Sequence, residues 1–122
     1  MSAPRLEIHL EHLQHNATTM VNRLARQGIK VTGVSKATLG LPEIVRTWVA
    51  AGVHSIGESR IESIESLSRC ELGVPLLLIR SPMLSQGDRV VAHAAISCTA
   101  RRWCSRPWQL QRIAKGCATE CC

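Results

Sequence analysis

The feature that most constrains the fold of this chain is a junction that recurs along it. In each copy a glycine ends a helical stretch, and valine or isoleucine then begins an apolar one. The copies are Gly28-Ile29, Gly52-Val53 and Gly73-Val74. Glycine commonly ends an α-helix, whereas β-branched residues favour strands. A repeated helix–glycine–strand order predicts an α/β fold whose parallel strands are joined by right-handed crossovers.

Hydrophobic periodicity predicts the elements between these junctions. The predicted strands cover residues 6–10, 29–34, 53–56, 74–79 and 94–97. The predicted helices alternate with them, over residues 10–24, from Pro42 to Gly52, from Ser59 to Gly73, and over residues 88–92. We expect Ser59 to be the N-cap of the third helix, with Glu62 at the capping-box position. Since the chain has 122 residues and a complete (β/α)8 barrel needs about 250, the pattern predicts about half of such a barrel.

Composition divides the chain at about Cys98. The net charge is +6, yet residues 1–97 contain ten Lys/Arg and eight Asp/Glu, so most of the excess lies in residues 98–122. Five of the six cysteines also lie there. The nearly neutral body offers no basic face for nucleic acid, and no apolar run is long enough to span a membrane. With no signal peptide ahead of the body, we expect a cytoplasmic protein with reduced thiols.

Residues 98–122 do not continue the repeat. They can be a disordered interaction tail, a metal-binding knuckle, or sequence translated in the wrong reading frame. In the frame that begins at the third base of each codon, Trp103-Cys104 must encode Val and Trp108-Gln109 must encode Ala. Later codon pairs permit an Ala-rich helix that ends in Glu-Gly-Val, which repeats the earlier junction. A frameshift near Cys98 is therefore the favoured hypothesis, and the coding DNA would test it.

Two groups of residues suggest metal or nucleic-acid binding more weakly. The tail cysteines lack the C-x2-C pair that structural zinc sites usually contain. Trp103 and Trp108 lie among arginines and could stack on single-stranded nucleic acid, which would make the chain a binding module. His9, His12 and His15 are spaced by three residues, but a metal site would need carboxylate or thiol partners as well. We therefore predict surface histidines, no metal site and no nucleic-acid partner.

Three cationic residues follow predicted strands. Lys36 comes directly after the second strand and precedes a turn that contains Gly40, and Arg60 and Arg80 follow the third and fourth strands. In an α/β barrel the carboxyl ends of the strands carry the catalytic residues. The strand order therefore predicts that these side chains lie at one edge of the sheet. The alternative for Lys36 is a solvated lysine, and for Arg80 a structural salt bridge.

Several segments, in this order, resemble the N-terminal part of the alanine racemase-type barrel, which belongs to the fold-type III pyridoxal-phosphate (PLP) enzymes. The segments are Pro4-Arg5-Leu6-Glu7-Ile8, His15-Asn16, Val31-Thr32-Gly33-Val34-Ser35-Lys36-Ala37, Ala51-Gly52-Val53, Ser55-Ile56-Gly57-Glu58-Ser59-Arg60-Ile61-Glu62 and Leu78-Ile79-Arg80-Ser81-Pro82-Met83-Leu84-Ser85. The resemblance covers residues 4–97, and the most similar branch is the alanine/ornithine racemase-like group. It implies an incomplete PLP-type TIM barrel followed by a non-homologous tail.

The resemblance also implies roles for individual residues. Lys36 matches the lysine that forms the internal aldimine with PLP and moves a Cα proton of a small or basic amino acid. Arg80 and Arg60 are expected to contact the cofactor, or the substrate carboxylate in the case of Arg80. In family members the opposite-face acid/base residue and the phosphate-binding loops lie later in the chain, and a homodimer completes the site. His9 also stands where many relatives carry an acidic residue.

We therefore expect a PLP-dependent amino-acid racemase that is truncated and inactive. The alternative is a non-catalytic PLP-binding homeostasis protein. That group shares the barrel, carries a similar Gly-Glu-x-Arg segment after the third strand, and needs no second acid/base group.

Overall fold

The computed structural model describes residues 3–98, which form an α/β unit with a four-stranded parallel sheet. The strands are β1 (Thr32–Val34), β2 (Ser55–Glu58), β3 (Leu76–Leu78) and β4 (Ile96–Ser97), and they pair in that order. The helices are α1 (Leu10–Ala25), α2 (Pro42–Ala50), α3 (Ile61–Ser68) and α4 (Gly87–His93). One helix precedes each strand, which confirms the predicted α/β class and its parallel sheet.

The hypotheses on the tail concern residues outside the described range. These are the frameshift, the cysteines after Cys98, and Trp103 and Trp108. Cys98 itself is described, and it is a free and exposed cysteine. Among residues 3–98, no helix is long and apolar enough to cross a membrane.

The first two glycine junctions have the same geometry. After α1, the N–H groups of Gly28 and Ile29 donate to carbonyls in the last turn of the helix, at 3.0 and 3.1 Å. After α2, Gly52 and Val53 make the corresponding bonds at 3.0 and 3.2 Å. Both glycines have positive φ, at +72° and +91°. This is the Schellman motif, in which glycine adopts the left-handed conformation at little cost.

The third junction differs from the prediction. α3 ends at Ser68, well before Gly73, and the intervening loop contains Glu71 in a left-handed conformation with φ +47°. Leu72 and Val74 pack against the core from this loop. The predicted helix from Ser59 to Gly73 is therefore too long, because the apolar stripe of the helix stops at Leu67.

The predicted start of the third helix is also wrong. α3 begins at Ile61, its N-cap residue is Arg60, and no side chain caps it. The Ser59 N–H donates to the side chain of Glu58 at 3.0 Å. Glu62 lies 3.4 Å from a guanidinium nitrogen of Arg89. The capping-box pattern therefore does not form, since both of its members bond elsewhere.

Residues 6–10 do not form the predicted first strand. α1 begins at Leu10 with His9 as its N-cap residue, and the side chains of Leu6 and Ile8 are 83% and 40% exposed. A strand is stable only when a neighbour satisfies its backbone groups. Within residues 3–98, the sheet begins at β1, so alternation of apolar and polar residues was not sufficient evidence for a strand.

The two faces of the sheet carry different side chains. Successive residues of a strand point to opposite faces, and the register pairs Ile56 with Leu76 and Glu58 with Leu78. The side chains of Ile56, Leu76 and Leu78 lie on the face that the helices cover. They join residues of α3 in the core. On the other face Val34 is 42% exposed. Glu58 thus extends the core-facing row of the sheet by one charged residue.

Candidate functional site

The strands β1, β2 and β3 end at one edge of the sheet, which we call the carboxyl edge. Lys36 begins a 3₁₀ turn, Lys36–Thr38, directly after β1 and Ser35. Arg60 follows β2 as the N-cap residue of α3, and Arg80 follows β3. All three side chains are exposed. The structure therefore brings Lys36, Arg60 and Arg80 to the same edge, while their roles remain predictions.

Ser35 holds the turn that carries Lys36. Ser35 is 1% exposed, and its N–H donates to the Gly57 carbonyl at 3.1 Å. Its carbonyl accepts the N–H groups of Thr38 and Gly40 at 3.0 and 3.2 Å, and the Thr38 hydroxyl at 3.1 Å. Because both backbone polar groups of Ser35 are bonded, the backbone next to Lys36 has little freedom to shift.

Glu58, the last residue of β2, is 1% exposed although it carries an ionisable group. Its Oε1 accepts the Ser35 hydroxyl at 2.7 Å, and its Oε2 accepts the Ser59 N–H at 3.0 Å. Its carbonyl accepts the Ile79 N–H at 2.8 Å. A buried carboxylate is costly unless hydrogen bonds replace its hydration. Two neutral donors, one for each oxygen, supply those bonds here.

Gly40 allows the turn after β1 to approach α3 closely. Leu39 and Gly40 both have positive φ, at +52° and +68°. A Cβ added at Gly40 would lie 3.3 Å from Ser63 Cβ, 3.4 Å from Leu67 Cδ1 and 3.5 Å from Glu58 Oε1. Both the left-handed backbone and the narrow space favour glycine at this position. The absence of a side chain at Gly40 therefore helps to bring the Lys36 turn next to Glu58.

A cavity of about 240 Å³ opens at the carboxyl edge between the loops after β2 and β3. Arg60 and Arg80 both line it, as does Glu62, whose carboxylate also contacts Arg89. Two guanidinium groups on one cavity can bind an anion through paired N–H donors. Lys36 lies on the neighbouring turn, outside the residues that line this cavity.

The donor set of the carboxyl edge fits PLP, which carries an aldehyde and a phosphate. Lys36 offers an exposed primary amine, the nucleophile that a carbonyl carbon requires. Arg60 and Arg80 offer cationic hydrogen-bond donors suited to phosphate or carboxylate oxygens. The residues that are present are therefore chemically compatible with the cofactor that the sequence resemblance implies.

Two further groups of titratable residues are the histidines at the start of α1 and the pair between α3 and α4. The rings of His9 and His12 have centroids 5.3 Å apart, yet among residues 3–98 no group of three or more His, Cys, Asp or Glu could hold a metal ion. Arg89 on α4 pairs with Glu65 on α3 through two hydrogen bonds of 2.6 and 2.7 Å. The hydrogen bond from Arg89 lowers the pKa of Glu65. This pair links two helices, and Arg89 also contacts Glu62, which lines the cavity at the carboxyl edge.

Sequence reasoning missed the roles of Ser35 and Glu58. In the structure, the register pairs Thr32 with Ser55 and Val34 with Gly57. Continuing this register by one residue pairs Ser35 with Glu58. A carboxylate at the end of a buried strand, opposite a hydroxyl next to the key lysine, could have been noted once the strands were aligned at their ends. The exact register was needed for that step, and only the structure supplies it.

Comparisons with known proteins identify the family of the chain. The sequence matches the family described as alanine racemase, N-terminal domain, over residues 8–120. It is 38% identical over 93 residues to lysine racemase of Thermotoga maritima and 31% identical over 94 residues to ornithine racemase of Acetoanaerobium sticklandii. These matches cover 76% and 77% of this chain but only 26% of each relative. The chain thus spans about a quarter of the length of the curated relatives it matches.

The fold has also been seen in a solved structure. A crystal structure of an unknown protein from Bifidobacterium adolescentis superposes with a TM-score of 0.71 at 16% identity. The superposition covers 92% of this chain and 55% of that chain. It supports the fold of the α/β unit. The family match continues past Cys98 to residue 120, and the hypothesis of a frameshift near Cys98 stays a prediction.

Proposed function

Because this chain belongs to the alanine racemase N-terminal domain family, we propose that it supplies the lysine side of a PLP-dependent amino-acid racemase. Its four parallel strands would form the first part of a (β/α)8 barrel. The observation that carries the proposal is the position of Lys36, which directly follows β1 on a turn that Ser35 fixes to β2. A nucleophilic amine at this end of a barrel strand is correctly placed for chemistry.

The residues of the carboxyl edge would divide the work. When bound, PLP supplies an electron sink for the negative charge that develops at Cα. Lys36 Nζ would hold the cofactor through its carbonyl carbon and, once freed by the substrate amine, would take or return the Cα proton from its own side. Arg60 and Arg80 would direct paired N–H donors at the cofactor phosphate or the substrate carboxylate.

Racemisation needs a second acid/base group on the opposite face of Cα. We propose that this group, and the remaining phosphate contacts, come from a later part of the barrel or from a partner protomer. In this proposal, residues 3–98 supply only the acid/base group on one face of Cα, which is Lys36. We therefore expect the 122-residue chain by itself to react with PLP without racemising an amino acid.

The substrate class that we propose is a basic amino acid. The two curated relatives are named lysine racemase and ornithine racemase, and both substrates carry a second amine. Those names also favour a racemase over a non-catalytic PLP-binding protein. Exchange of the Cα proton of lysine and ornithine for solvent deuterium would test this class without a requirement for complete racemisation.

The first test is covalent labelling of the chain by PLP. The chain is incubated with PLP, reduced with borohydride and digested, and the modified lysines are identified by peptide mass. We expect modification at Lys36 to saturate at a PLP concentration at which Lys30 remains largely unmodified. Lys30 is the matched control, because it is exposed and precedes β1 whereas Lys36 follows it.

Two variants sharpen the test. Lys36→Ala should abolish the saturable modification, while Lys30→Ala should leave it unchanged. Equal labelling of Lys30 and Lys36 at every PLP concentration would show that Lys36 is an ordinary surface lysine, and the proposed function would fail.

A further inference from the structure

Glu58 is a buried carboxylate at the edge that carries Lys36, Arg60 and Arg80, and the proposed mechanism does not use it. Its side chain lies on the face of the sheet that the helices cover, in the same row as Ile56. An apolar residue in that row would bury surface without the cost of removing a charge from water. The presence of a carboxylate in such a position therefore draws attention to its hydrogen bonds.

Three hydrogen bonds of Glu58 end next to a cationic residue. Oε1 binds the hydroxyl of Ser35, which precedes Lys36. Oε2 binds the N–H of Ser59, which precedes Arg60. The carbonyl oxygen binds the N–H of Ile79, which precedes Arg80. One residue thus contacts the backbone or side chain immediately before each of the three cations.

The sheet register explains this convergence. β1 and β2 are paired so that Thr32 lies opposite Ser55, and the same offset places Ser35 opposite Glu58. β2 and β3 are paired so that Glu58 lies opposite Leu78. Glu58 is therefore central in the row of residues at which the three strands end. A residue in an outer strand could reach at most one neighbouring turn in this way.

We infer that Glu58 is a positioning residue, whose buried carboxylate fixes the turns that carry Lys36 and Arg60 relative to each other. This inference rests on the proposed function only in so far as the three cations bind PLP. The positioning itself concerns the chain without cofactor.

A carboxylate suits this task better than an amide. Both of its oxygens accept hydrogen bonds, and it faces two donors, a hydroxyl and a backbone N–H. Glutamine has one accepting oxygen, so Glu58→Gln keeps the Ser59 bond and keeps the Ser35 contact only if the hydroxyl reverses and accepts from the amide. We therefore expect Glu58→Gln to restore part of what Glu58→Ala loses.

The chain offers a matched control in Ser55→Ala. The hydroxyls of Thr32 and Ser55 form a 2.7 Å hydrogen bond between the same two strands, with the same sequence offset as Ser35 and Glu58. Ser55 is 3% exposed, so the variant also removes a buried polar contact between β1 and β2. The lost contact lies three residues before the carboxyl edge, so Ser55→Ala should leave the turns that carry Lys36 and Arg60 in place.

The experiment measures amide hydrogen exchange of the full chain without PLP, together with its thermal stability. Glu58→Ala should accelerate exchange in residues 35–41 and 59–61 by about tenfold or more, as expected for loss of a hydrogen bond to a charged group. Glu58→Gln should give an intermediate value. Ser55→Ala should leave exchange in these residues close to that of the unmodified chain at a comparable loss of thermal stability.

Ser35→Ala keeps the test decisive if Glu58→Ala does not fold, because it removes the Ser35–Glu58 bond alone. If exchange of residues 35–41 in Ser35→Ala and Glu58→Gln is no faster than in Ser55→Ala, Glu58 is not a positioning residue. PLP labelling of the same variants separates the two proposals. Faster exchange combined with no preference for Lys36 in the unmodified chain would leave the positioning role standing and contradict the proposed function.

Discussion

The two ends of the strands in this sheet are built on different principles. At the amino ends, the chain enters β1 and β2 through the same glycine turn, with Gly28 and Gly52 in equivalent hydrogen-bonded positions. At the carboxyl edge, the turns after β1 and β2 share no pattern and carry Lys36 and Arg60. The repeated turn at the amino ends suits folding, whereas the proposed function assigns chemistry to the differing turns at the carboxyl edge. This is the division expected of barrel folds, in which catalytic residues come from the carboxyl ends of strands.

The turns at the two ends of the strands also differ in how far their conformation depends on residues that are distant in the sequence. The turn at Gly28 is closed by the helix that precedes it, and a Cβ added there would meet no atom within 4 Å. The turn at Gly40 is closed locally by Ser35, but it also packs against Glu58 of β2 and against α3, which are other elements. The carboxyl edge should therefore be the more sensitive of the two to substitution.

The largest expected effect is on the core beneath the carboxyl edge. Leu67 is fully buried and lies beside Gly40, whereas Val21 is only partly buried and lies beside Gly52. Leu67→Ala should lower the free energy of unfolding by about 2–5 kcal/mol through loss of burial and a cavity. Val21→Ala should cost about 1 kcal/mol. Urea denaturation of both variants measures the difference, and equal losses would contradict the proposed asymmetry between the edges.

Glycine substitutions compare the turns themselves. Gly40→Ala should destabilise the chain by about 2 kcal/mol or more, because strain of the left-handed backbone adds to crowding against Ser63 and Leu67. Gly28→Ala should cost about 1 kcal/mol, from backbone strain alone. Thermal unfolding followed by circular dichroism would check this order, and the reverse order would show that the space at Gly40 relaxes freely.

Arginine substitutions test the chemistry of the carboxyl edge. Arg60→Ala and Arg80→Ala should each weaken PLP binding about tenfold, because each removes charge-assisted hydrogen bonds. Arg26, the C-cap residue of α1 near Gly28, provides the control at the other edge, and Arg26→Ala should leave binding unchanged. Equilibrium titration with PLP measures all three. An equal loss in every variant would indicate nonspecific attraction by positive charge.

The smallest effect concerns the pair between α3 and α4. Arg89 lowers the folded-state pKa of Glu65 through a hydrogen bond. The stability that this bond contributes is present above the unfolded-state pKa of Glu65 and is lost as the pH falls through the lower, folded-state value. Arg89→Gln should therefore reduce the melting temperature at neutral pH and make little difference once the medium is acid enough to protonate Glu65. Melting curves across the acid range check the sign, and a constant difference would exclude this linkage.

The sequence predicted the helical elements where local signals were strong. Helices were expected over residues 10–24, from Pro42 and over 88–92, and α1, α2 and α4 lie there. The errors fell where the outcome depends on a distant partner. Residues 6–10 alternate like a strand but have no neighbouring strand in residues 3–98, and Ser59 resembles a cap but its N–H binds Glu58. The strands predicted over residues 29–34, 74–79 and 94–97 were longer than β1, β3 and β4, whereas the strand predicted over residues 53–56 began and ended two residues before β2 does.

The sequence by itself determined the order of helices and strands, the parallel sheet, and the arrival of Lys36, Arg60 and Arg80 at one edge. Each of these follows from periodicity, glycine positions and strand direction, which are local properties of the chain. The tertiary structure alone decided that Ser35 lies opposite Glu58, that Glu58 contacts the turns before all three cations, and that two arginines line one cavity. Those facts depend on strand register, since a shift of one residue would turn the Glu58 side chain to the other face of the sheet.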